Sequence, residues 1–202
     1  MNLPNLLTLS RVPFLFAIVA LMLAEWPAAA SLALVFFFLA GITDWLDGAI
    51  ARRQGLVSDF GKLMDALTDK ILVVGLMIAI VAFGLAPAYT VFLVLLVLSR
   101  EFLITGMRMM AVTRGIVVAA EKAGKQKTVT QIIAVGLLLA VPAVEHDLGR
   151  WAAGWPTGEI AGALYWAGLG FFFLATLITV TSGLRYFLKY RPQLSGKEQA
   201  NP

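Results

Sequence analysis

Six long apolar runs divide this 202-residue chain and leave few folds open to it. A helix needs about 20 apolar residues to cross the roughly 30 Å hydrocarbon core of a bilayer, and stretches of nearly that length recur along the sequence. Hydrophobic residues make up 60% of the chain and charged residues only 14%, which excludes an ordinary soluble domain. The sequence therefore predicts an all-α integral membrane protein with six transmembrane helices, at about 8–24, 28–46, 66–84, 87–106, 128–144 and 160–184.

The two ends of the chain are expected to differ from the spans. The N-terminal sequence MNLPNLLTLSRVPF has no basic residue before its apolar part and no small-residue cleavage site. We therefore expect a short interfacial N-terminal segment and no removed signal peptide. Residues 1–190 are expected to form one transmembrane domain, and residues 191–202 a disordered cytoplasmic tail.

Basic residues are distributed unevenly between the two sides of the predicted spans. Of the 16 Lys and Arg residues, all but Lys70, which lies within a span, and Arg150 fall on the side that carries both termini. Loops rich in Lys and Arg remain in the cytoplasm. We therefore expect both termini to be cytoplasmic, with basic residues that also attract anionic membrane lipids.

Five aspartates lie around the link between the second and third spans, in the sequence DWLDGAIARRQGLVSDFGKLMDALTDK, and four of them form two pairs. Asp44 and Asp47 lie three residues apart, and Asp65 and Asp69 lie four apart, so each pair shares one helix face. Because the connecting segment is short, we expect the two helices to be neighbours and the four carboxylates to converge. The candidate site is therefore at the cytoplasmic membrane surface.

Four carboxylates beside hydrocarbon need compensation. A carboxylate deep in the bilayer costs about 2.5–3.5 kcal/mol, and like charges at close range add to this cost. Two effects can lower this cost, namely protonation of some of the carboxylates or binding of a divalent metal ion. The chain has no cysteine, and its single histidine, His146, lies on the opposite side, so the oxygen donors favour Mg²⁺ or Mn²⁺. Four carboxylates suit two such ions, an arrangement typical of displacement at phosphate.

The residues between the aspartates suit a phosphate-bearing ligand. Gly48 and Ala51 keep the helix surface small, and Gly61 does the same one turn before Asp65. Arg52 lies one turn beyond Gly48 and can pair with phosphate through two N–H groups. Small residues also serve helix packing in membranes, so this interpretation depends on their register with the aspartates.

The spacing of these residues resembles the signature of the CDP-alcohol phosphotransferase family. That signature is Asp-x-x-Asp-Gly-x-x-Ala-Arg, eight residues, then Gly-x-x-x-Asp-x-x-x-Asp, and every fixed position from Asp44 to Asp69 matches it. The resemblance implies an integral membrane enzyme of six helices, commonly a homodimer. Such an enzyme transfers a phosphatidyl or similar group from a CDP-linked donor to an alcohol and releases CMP. No nucleic-acid partner is expected.

The resemblance also implies roles for individual residues. Asp69 is the expected general base, which takes the proton of the attacking alcohol. The expected metal ligands are Asp44, Asp47, Asp65 and Asp69. The residues expected to contact the CDP part of the donor are Asp47, Gly48, Ala51, Arg52 and Gly61.

A second group of basic residues on the same side predicts an anionic acceptor. Arg100 and Arg108 are about two helical turns apart near the end of the fourth span, so both can face one cleft. At the entry to the fifth span, the predicted pocket is completed by Lys125, Lys127 and Thr128. The alternative is that these cations reflect only the inside-positive topology.

The sequences NLPNLLTLSR, SREFLITGMR and GKQKTVTQ resemble one branch of the family, the bacterial phosphatidylglycerophosphate synthases. The resemblance extends over residues 1–185 and implies a bacterial inner-membrane enzyme that uses CDP-diacylglycerol and sn-glycerol 3-phosphate. The cationic pocket then holds the acceptor phosphate and leaves its 1-hydroxyl at Asp69. Asn5 and Thr8 are expected to contact a lipid headgroup, or simply to cap the first helix.

Two other functions remain open from the sequence alone. The first is the same chemistry with another acceptor, such as inositol phosphate, phosphatidylglycerol or serine. The second is divalent-cation transport, for which charged residues are expected near the bilayer midplane. Here nearly all ionisable groups lie toward one surface, and the runs at 71–86 and 87–98 carry no charge, which favours the enzyme.

Overall fold

The structure, a computed structural model, describes residues 9–54, 59–113, 122–152 and 154–194. For residues 44–54, 59–66, 69, 112, 122–125, 193 and 194 it describes the backbone alone. Within these ranges the chain is all-helical and contains no β-strand, which confirms the predicted class. The helices are α1 (Arg11–Leu23), α2 (Ala29–Gln54), α3 (Asp59–Ala82), α4 (Val91–Thr113), α5 (Lys122–Pro142) and α6 (Thr157–Leu194).

Each predicted apolar run corresponds to a helix. Three apolar helical segments are long enough to cross a membrane, namely Ala88–Ala111, Gln126–Trp151 and Thr157–Pro192. Three others are apolar but shorter, namely Arg11–Leu23, Ala29–Thr43 and Lys70–Ala82. α2 and α3 both extend beyond their apolar parts, into the segment that carries the four aspartates. The positions of the helices agree with the six runs, whereas a crossing of the membrane by all six stays a prediction.

The outer ends of the chain extend past these helices. α6 continues through Leu194, so residues 191–194 of the predicted tail are helical. The remainder of that tail, residues 195–202, lies outside the described residues. The same holds for residues 1–8, which include Asn5 and Thr8.

Large apolar side chains cover the outside of the helix bundle. Phe16, Phe92, Phe102, Trp166 and Leu177 are between 61% and 71% exposed. Exposed apolar side chains of this size and number are unfavourable in water but match the hydrocarbon of a bilayer. The described helices therefore present a surface that suits the interior of a membrane.

The interior of the bundle combines bulky side chains with glycines. Leu76 of α3, Leu138 of α5 and Phe172 of α6 are fully buried in one cluster, to which all six helices contribute. α5 and α6 form the most extensive helix pair, and a Cβ added to Gly168 of α6 would come within 2.8 Å of Leu138 Cγ. Small residues allow membrane helices to approach closely. α1 packs on both α2 and α3, and α4 packs on α6.

A π-helical segment (Ala143–Leu148) extends α5 and supplies the cap of another helix. Within it, the buried carboxylate of Asp147 accepts hydrogen bonds from the backbone N–H groups of Ala28 at 3.1 Å and Ser31 at 2.7 Å. The first N–H groups of a helix have no partner within it, and the helix dipole favours a negative charge there. Asp147 therefore fixes the first turn of α2 from the far end of α5.

Candidate active site

The four aspartates lie near the ends of two helices that are consecutive in sequence. Asp44 and Asp47 lie in the second half of α2, and Asp65 and Asp69 lie in the first half of α3. Helical geometry places the members of each pair on one face. Their side chains lie outside the described residues, so the convergence of the four carboxylates stays a prediction.

The predicted CDP-binding residues accompany the aspartates on the same helices. Gly48, Ala51 and Arg52 follow Asp47 in α2, and Gly61 lies in the first turn of α3. The helical backbone separates Gly48 from Arg52 by about one turn, as the sequence predicts. Only the backbone of these residues is described, so their contacts with a donor stay a prediction.

Directly after Asp69, the ammonium group of Lys70 reaches the neighbouring helix α4. It donates a hydrogen bond to the hydroxyl of Thr105, and its Nζ lies 3.9 Å from Oε2 of Glu101. The hydroxyl of Thr105 donates in turn to the backbone carbonyl of Glu101 at 2.7 Å. Lys70 therefore connects the helix of the second aspartate pair to α4.

Glu101 lies at the centre of a buried group of charges, the Glu101 cluster, which consists of Lys70, Arg100, Glu101 and Lys127. Nζ of Lys127 is paired with Oε1 of Glu101, and Nη1 of Arg100 lies 3.1 Å from the same oxygen. The side chains of Glu101, Lys127 and Arg100 are 7%, 10% and 11% exposed. Three cations thus face one carboxylate. Arg100 and Lys127 share one carboxylate, and buried charges are costly unless they are paired, so this pair of cations suits an anionic ligand.

Helix α6 supports both arginines of the predicted pocket. Nη2 of Arg100 donates a hydrogen bond of 3.3 Å to the hydroxyl of Ser182. The stem of Arg100 passes so close to Gly183 that a Cβ there would come within 2.5 Å of Arg100 Cγ. The guanidinium of Arg108 lies 5.5 Å from the centroid of the Tyr186 ring, within the range of a cation–π contact. Arg100 and Arg108 therefore both contact α6.

Two buried donors near these contacts have no hydrogen-bond partner among the described residues. They are Nε of Arg100 and the hydroxyl of Tyr186. Tyr186 is only 2% exposed. A buried polar group without a partner costs about 1–3 kcal/mol, and folded proteins leave few such groups. Both donors are suited to an anionic ligand on the α4–α6 side.

Of the five residues predicted to bind the acceptor, Arg100 and Lys127 meet on a single carboxylate. Arg108 lies two turns further along α4, and Thr128 follows Lys127 and is half-buried. The side chain of Lys125 lies outside the described residues. The assignment of these five residues to an acceptor stays a prediction.

Three members of this region were not predicted from the sequence, namely Lys70, Glu101 and Ser182. For Lys70 and Glu101 a signal was available, because ionisable residues inside apolar helices are costly and are typically functional. Ser182 gave no comparable signal, since serine is common wherever membrane helices pack together.

The donor set of the aspartate segment fits divalent metal ions. Among the side chains that the structure describes, no group of three or more His, Cys, Asp or Glu residues is arranged to hold a metal ion. The side chains of the four aspartates lie outside that part of the structure, and these aspartates stay the predicted ligands. Two carboxylates on each of two helices provide the hard oxygen ligands that Mg²⁺ and Mn²⁺ prefer.

A cavity lies at the other end of α2, away from the aspartates. Its volume is about 340 Å³, and its lining includes Trp26, His146, Asp147 and Arg150. These residues come from the start of α2 and the extension of α5, and none belongs to the Glu101 cluster. The cavity is therefore separate from the candidate active site.

Known proteins resemble this chain over most of its length. The family model for CDP-alcohol phosphatidyltransferase matches residues 1–174. The CDP-diacylglycerol–glycerol-3-phosphate 3-phosphatidyltransferase of Bacillus subtilis is 38% identical over 200 residues, which cover 93% of this chain and 94% of the relative. A protein of the same name from Rickettsia typhi is 32% identical, over 92% of this chain and 95% of the relative. Another from Salmonella choleraesuis is also 32% identical, over 96% and 97%. As the aspartate signature indicates, the chain belongs to the CDP-alcohol phosphatidyltransferase family.

Proposed function

We propose that this protein transfers the phosphatidyl group of CDP-diacylglycerol to the 1-hydroxyl of sn-glycerol 3-phosphate, giving phosphatidylglycerophosphate and CMP. The observation that carries the proposal is the Glu101 cluster, in which three cations from three helices face one carboxylate, beginning one residue after Asp69. The names of the relatives from Bacillus subtilis, Rickettsia typhi and Salmonella choleraesuis support this donor and this acceptor. Membership of the family supports the transfer chemistry.

The reaction requires an alcohol oxygen to attack the β-phosphorus of the donor. Members of the family generally use divalent metal ions, and the four aspartates are their ligands here. When bound, two Mg²⁺ or Mn²⁺ ions supply neutralisation of the diphosphate and stabilisation of the leaving group. Asp69 accepts the proton of the hydroxyl as the new P–O bond forms. The electron pair of the broken P–O bond departs with CMP.

The donor is bound along the aspartate segment. The small residues Gly48, Ala51 and Gly61 leave room for the cytidine and its phosphates next to the helix backbone. Arg52 pairs with a phosphate oxygen of the donor, and Asp47 contacts the CDP part. Asn5 and Thr8 contact the lipid headgroup. The spacing of the residues from Asp47 to Gly61 within the family signature supports their roles, whereas Asn5 and Thr8 lie outside that signature.

The acceptor is bound on the side of α4 that faces α5 and α6. Its phosphate is held by Arg100, Arg108, Lys125, Lys127 and Thr128. The support for this site is the shared carboxylate of Arg100 and Lys127, together with the buried Nε of Arg100 that has no partner among the described residues. A phosphate group that carries two negative charges is the natural complement of this excess of cations.

The enzyme works at a membrane surface, where a lipid and a soluble substrate can meet. We place it in the bacterial inner membrane as a six-span protein, with both termini and the active site cytoplasmic. The supporting observations are the six apolar helices and the uneven distribution of Lys and Arg between the two sides of the predicted spans. A homodimer, common in the family, is the proposed assembly.

The proposed function is tested by CMP release from purified protein in detergent, with CDP-diacylglycerol and either Mg²⁺ or Mn²⁺. Separate reactions receive glycerol 3-phosphate, inositol 1-phosphate, serine, phosphatidylglycerol or no acceptor. Release that depends on glycerol 3-phosphate and is abolished by EDTA is the expected result. Release with another acceptor alone contradicts the proposed acceptor but keeps the transfer chemistry. Absence of release from folded protein with every acceptor contradicts the transfer and reopens cation transport.

A further inference from the structure

Glu101 makes contacts that a residue used only for helix packing does not need. Its single carboxylate meets one cation from each of three helices: Lys70 of α3, Arg100 of α4 and Lys127 of α5. The carboxylate is almost fully buried, and both of its oxygens are used. In a family whose enzymes transfer phosphate-linked groups, a carboxylate at the centre of an anion-binding region is unexpected, since it repels the ligand.

We propose that Glu101 is a positioning residue for the acceptor, and that Lys70 is a further member of the acceptor site. This inference rests on the proposed function. Without Glu101, three cations held at close range repel one another, and their long side chains can turn away into water. With Glu101, they are held in one place before the acceptor arrives, so that less side-chain entropy is lost when it binds.

The charge balance of the cluster supports this role. Arg100 and Lys127 share the one carboxylate of Glu101, so this pair keeps a net positive charge, which favours a phosphate monoester that carries about 1.5 to 2 negative charges at neutral pH. Glu101 thus holds the cations in place and offsets only part of their charge.

Lys70 links this cluster to the reaction centre. It follows Asp69 directly, and it is the most exposed member of the cluster, with 29% of its side chain accessible. Its hydrogen bond to Thr105 holds the ammonium group against α4. An acceptor phosphate bound at Lys70 lies next to the residue proposed as the base, Asp69. The free hydroxyl of the same acceptor molecule is then brought toward Asp69.

The test compares Glu101→Gln and Glu101→Asp with a matched control, Glu159→Gln. Glu159 is an exposed carboxylate in the first turn of α6 and lies outside the cluster. The apparent KM for glycerol 3-phosphate, the KM for CDP-diacylglycerol and kcat are measured for each. We expect Glu101→Gln to raise the KM for glycerol 3-phosphate about tenfold or more, which corresponds to the loss of one charge-assisted contact. The donor KM should change less than about twofold, because the donor site is not altered.

The two other variants separate the effect of the Glu101 side chain from that of losing any carboxylate. Glu101→Asp keeps the charge but shortens the side chain, so its KM for glycerol 3-phosphate should lie between those of the wild type and Glu101→Gln. Glu159→Gln should match the wild type. An acceptor KM in Glu101→Gln that is unchanged or lowered overturns the proposal, and so does a parallel rise of both KM values, which indicates a purely structural role.

A second measurement does not depend on the identity of the acceptor or on the folding of Glu101→Gln. Inorganic phosphate should raise the Tm of the wild-type protein in detergent, and Lys70→Gln should lose most of this protection. Equal protection in both overturns the role of the cluster. Wild-type protein that shows phosphate protection but no release with glycerol 3-phosphate contradicts the proposed acceptor and leaves the cluster as an anion site.

Discussion

At the scale of single residues, Asp69 and Lys70 are neighbours with different tasks. Consecutive side chains of an α-helix diverge by about 100°. Lys70 reaches Thr105 and Glu101 on α4, whereas Asp69 belongs to the face predicted for the aspartates. Proton acceptance and anion binding are therefore expected on adjacent sides of the first half of α3.

The first prediction concerns the base. Asp69→Asn should lower turnover by about 10²- to 10⁴-fold, because an amide cannot accept the proton of the acceptor hydroxyl. Affinity for CDP-diacylglycerol, measured by equilibrium binding, should change far less. CMP release by the purified variant gives the turnover. The control is Glu159→Gln, which also replaces a carboxylate by an amide, but at an exposed site. Wild-type turnover in Asp69→Asn would remove Asp69 as the base.

The second prediction concerns Gly183, where the stem of Arg100 needs the space of a missing side chain. Gly183→Ala would place a Cβ 2.5 Å from Arg100 Cγ, so either the stem of Arg100 or helix α6 must shift, and either shift disturbs the contacts of the guanidinium with Ser182 and Glu101. We expect a rise of about tenfold in the KM for glycerol 3-phosphate, from the loss of about one charge-assisted hydrogen bond. Gly170→Ala is the matched control, because a Cβ at Gly170 meets no atom within 4 Å. If the two variants have the same acceptor KM, Arg100 does not bind the acceptor.

At the scale of helices, the sequence predicted the elements better than their contacts. An apolar run of membrane length forms a helix because backbone groups in hydrocarbon must be satisfied within the segment, and each of the six runs is helical. The Glu101 cluster is different, because it joins residues that are far apart in sequence, such as Glu101 and Lys127, 26 residues apart. Contacts of that kind depend on how the helices pack, which periodicity does not specify.

The third prediction tests the packing of the most extensive helix pair. In Gly168→Ala, the new Cβ would lie 2.8 Å from Leu138 Cγ and 3.3 Å from Leu137 Cβ. Such overpacking of a fully buried contact should destabilise the protein by about 1–3 kcal/mol. Gly170→Ala, two residues away with open space, should be neutral or stabilise α6 by up to about 1 kcal/mol. Thermal unfolding in detergent should give a lower Tm for Gly168→Ala only, and a reversed order would refute the observed α5–α6 contact.

At the scale of the whole molecule, orientation in the membrane decides which substrates reach the site. The proposed topology puts the start of α6 on the outer side of the inner membrane and the C-terminal residues in the cytoplasm. The chain has no cysteine, so single cysteines can be introduced without removing any. The fourth prediction is that Glu159→Cys reacts with a membrane-impermeant maleimide in intact cells, and that Ser195→Cys reacts only after lysis. Both variants should retain CMP release, and the reverse labelling pattern would invert the topology.

The cap made by Asp147 has a consequence at the opposite end of α2. The cap fixes where α2 begins, and Asp44 follows Ala29 by about 15 residues, or about 22 Å along an ideal helix. The depth and the direction of the first aspartate pair are therefore set by a carboxylate at the other end of the helix. One residue inserted between them would turn that pair by about 100° and move it by about 1.5 Å. The length of α2 thus sets the distance between the cap and the first aspartate pair, so the position of that pair at one end of the helix depends on an anchoring contact at the other end.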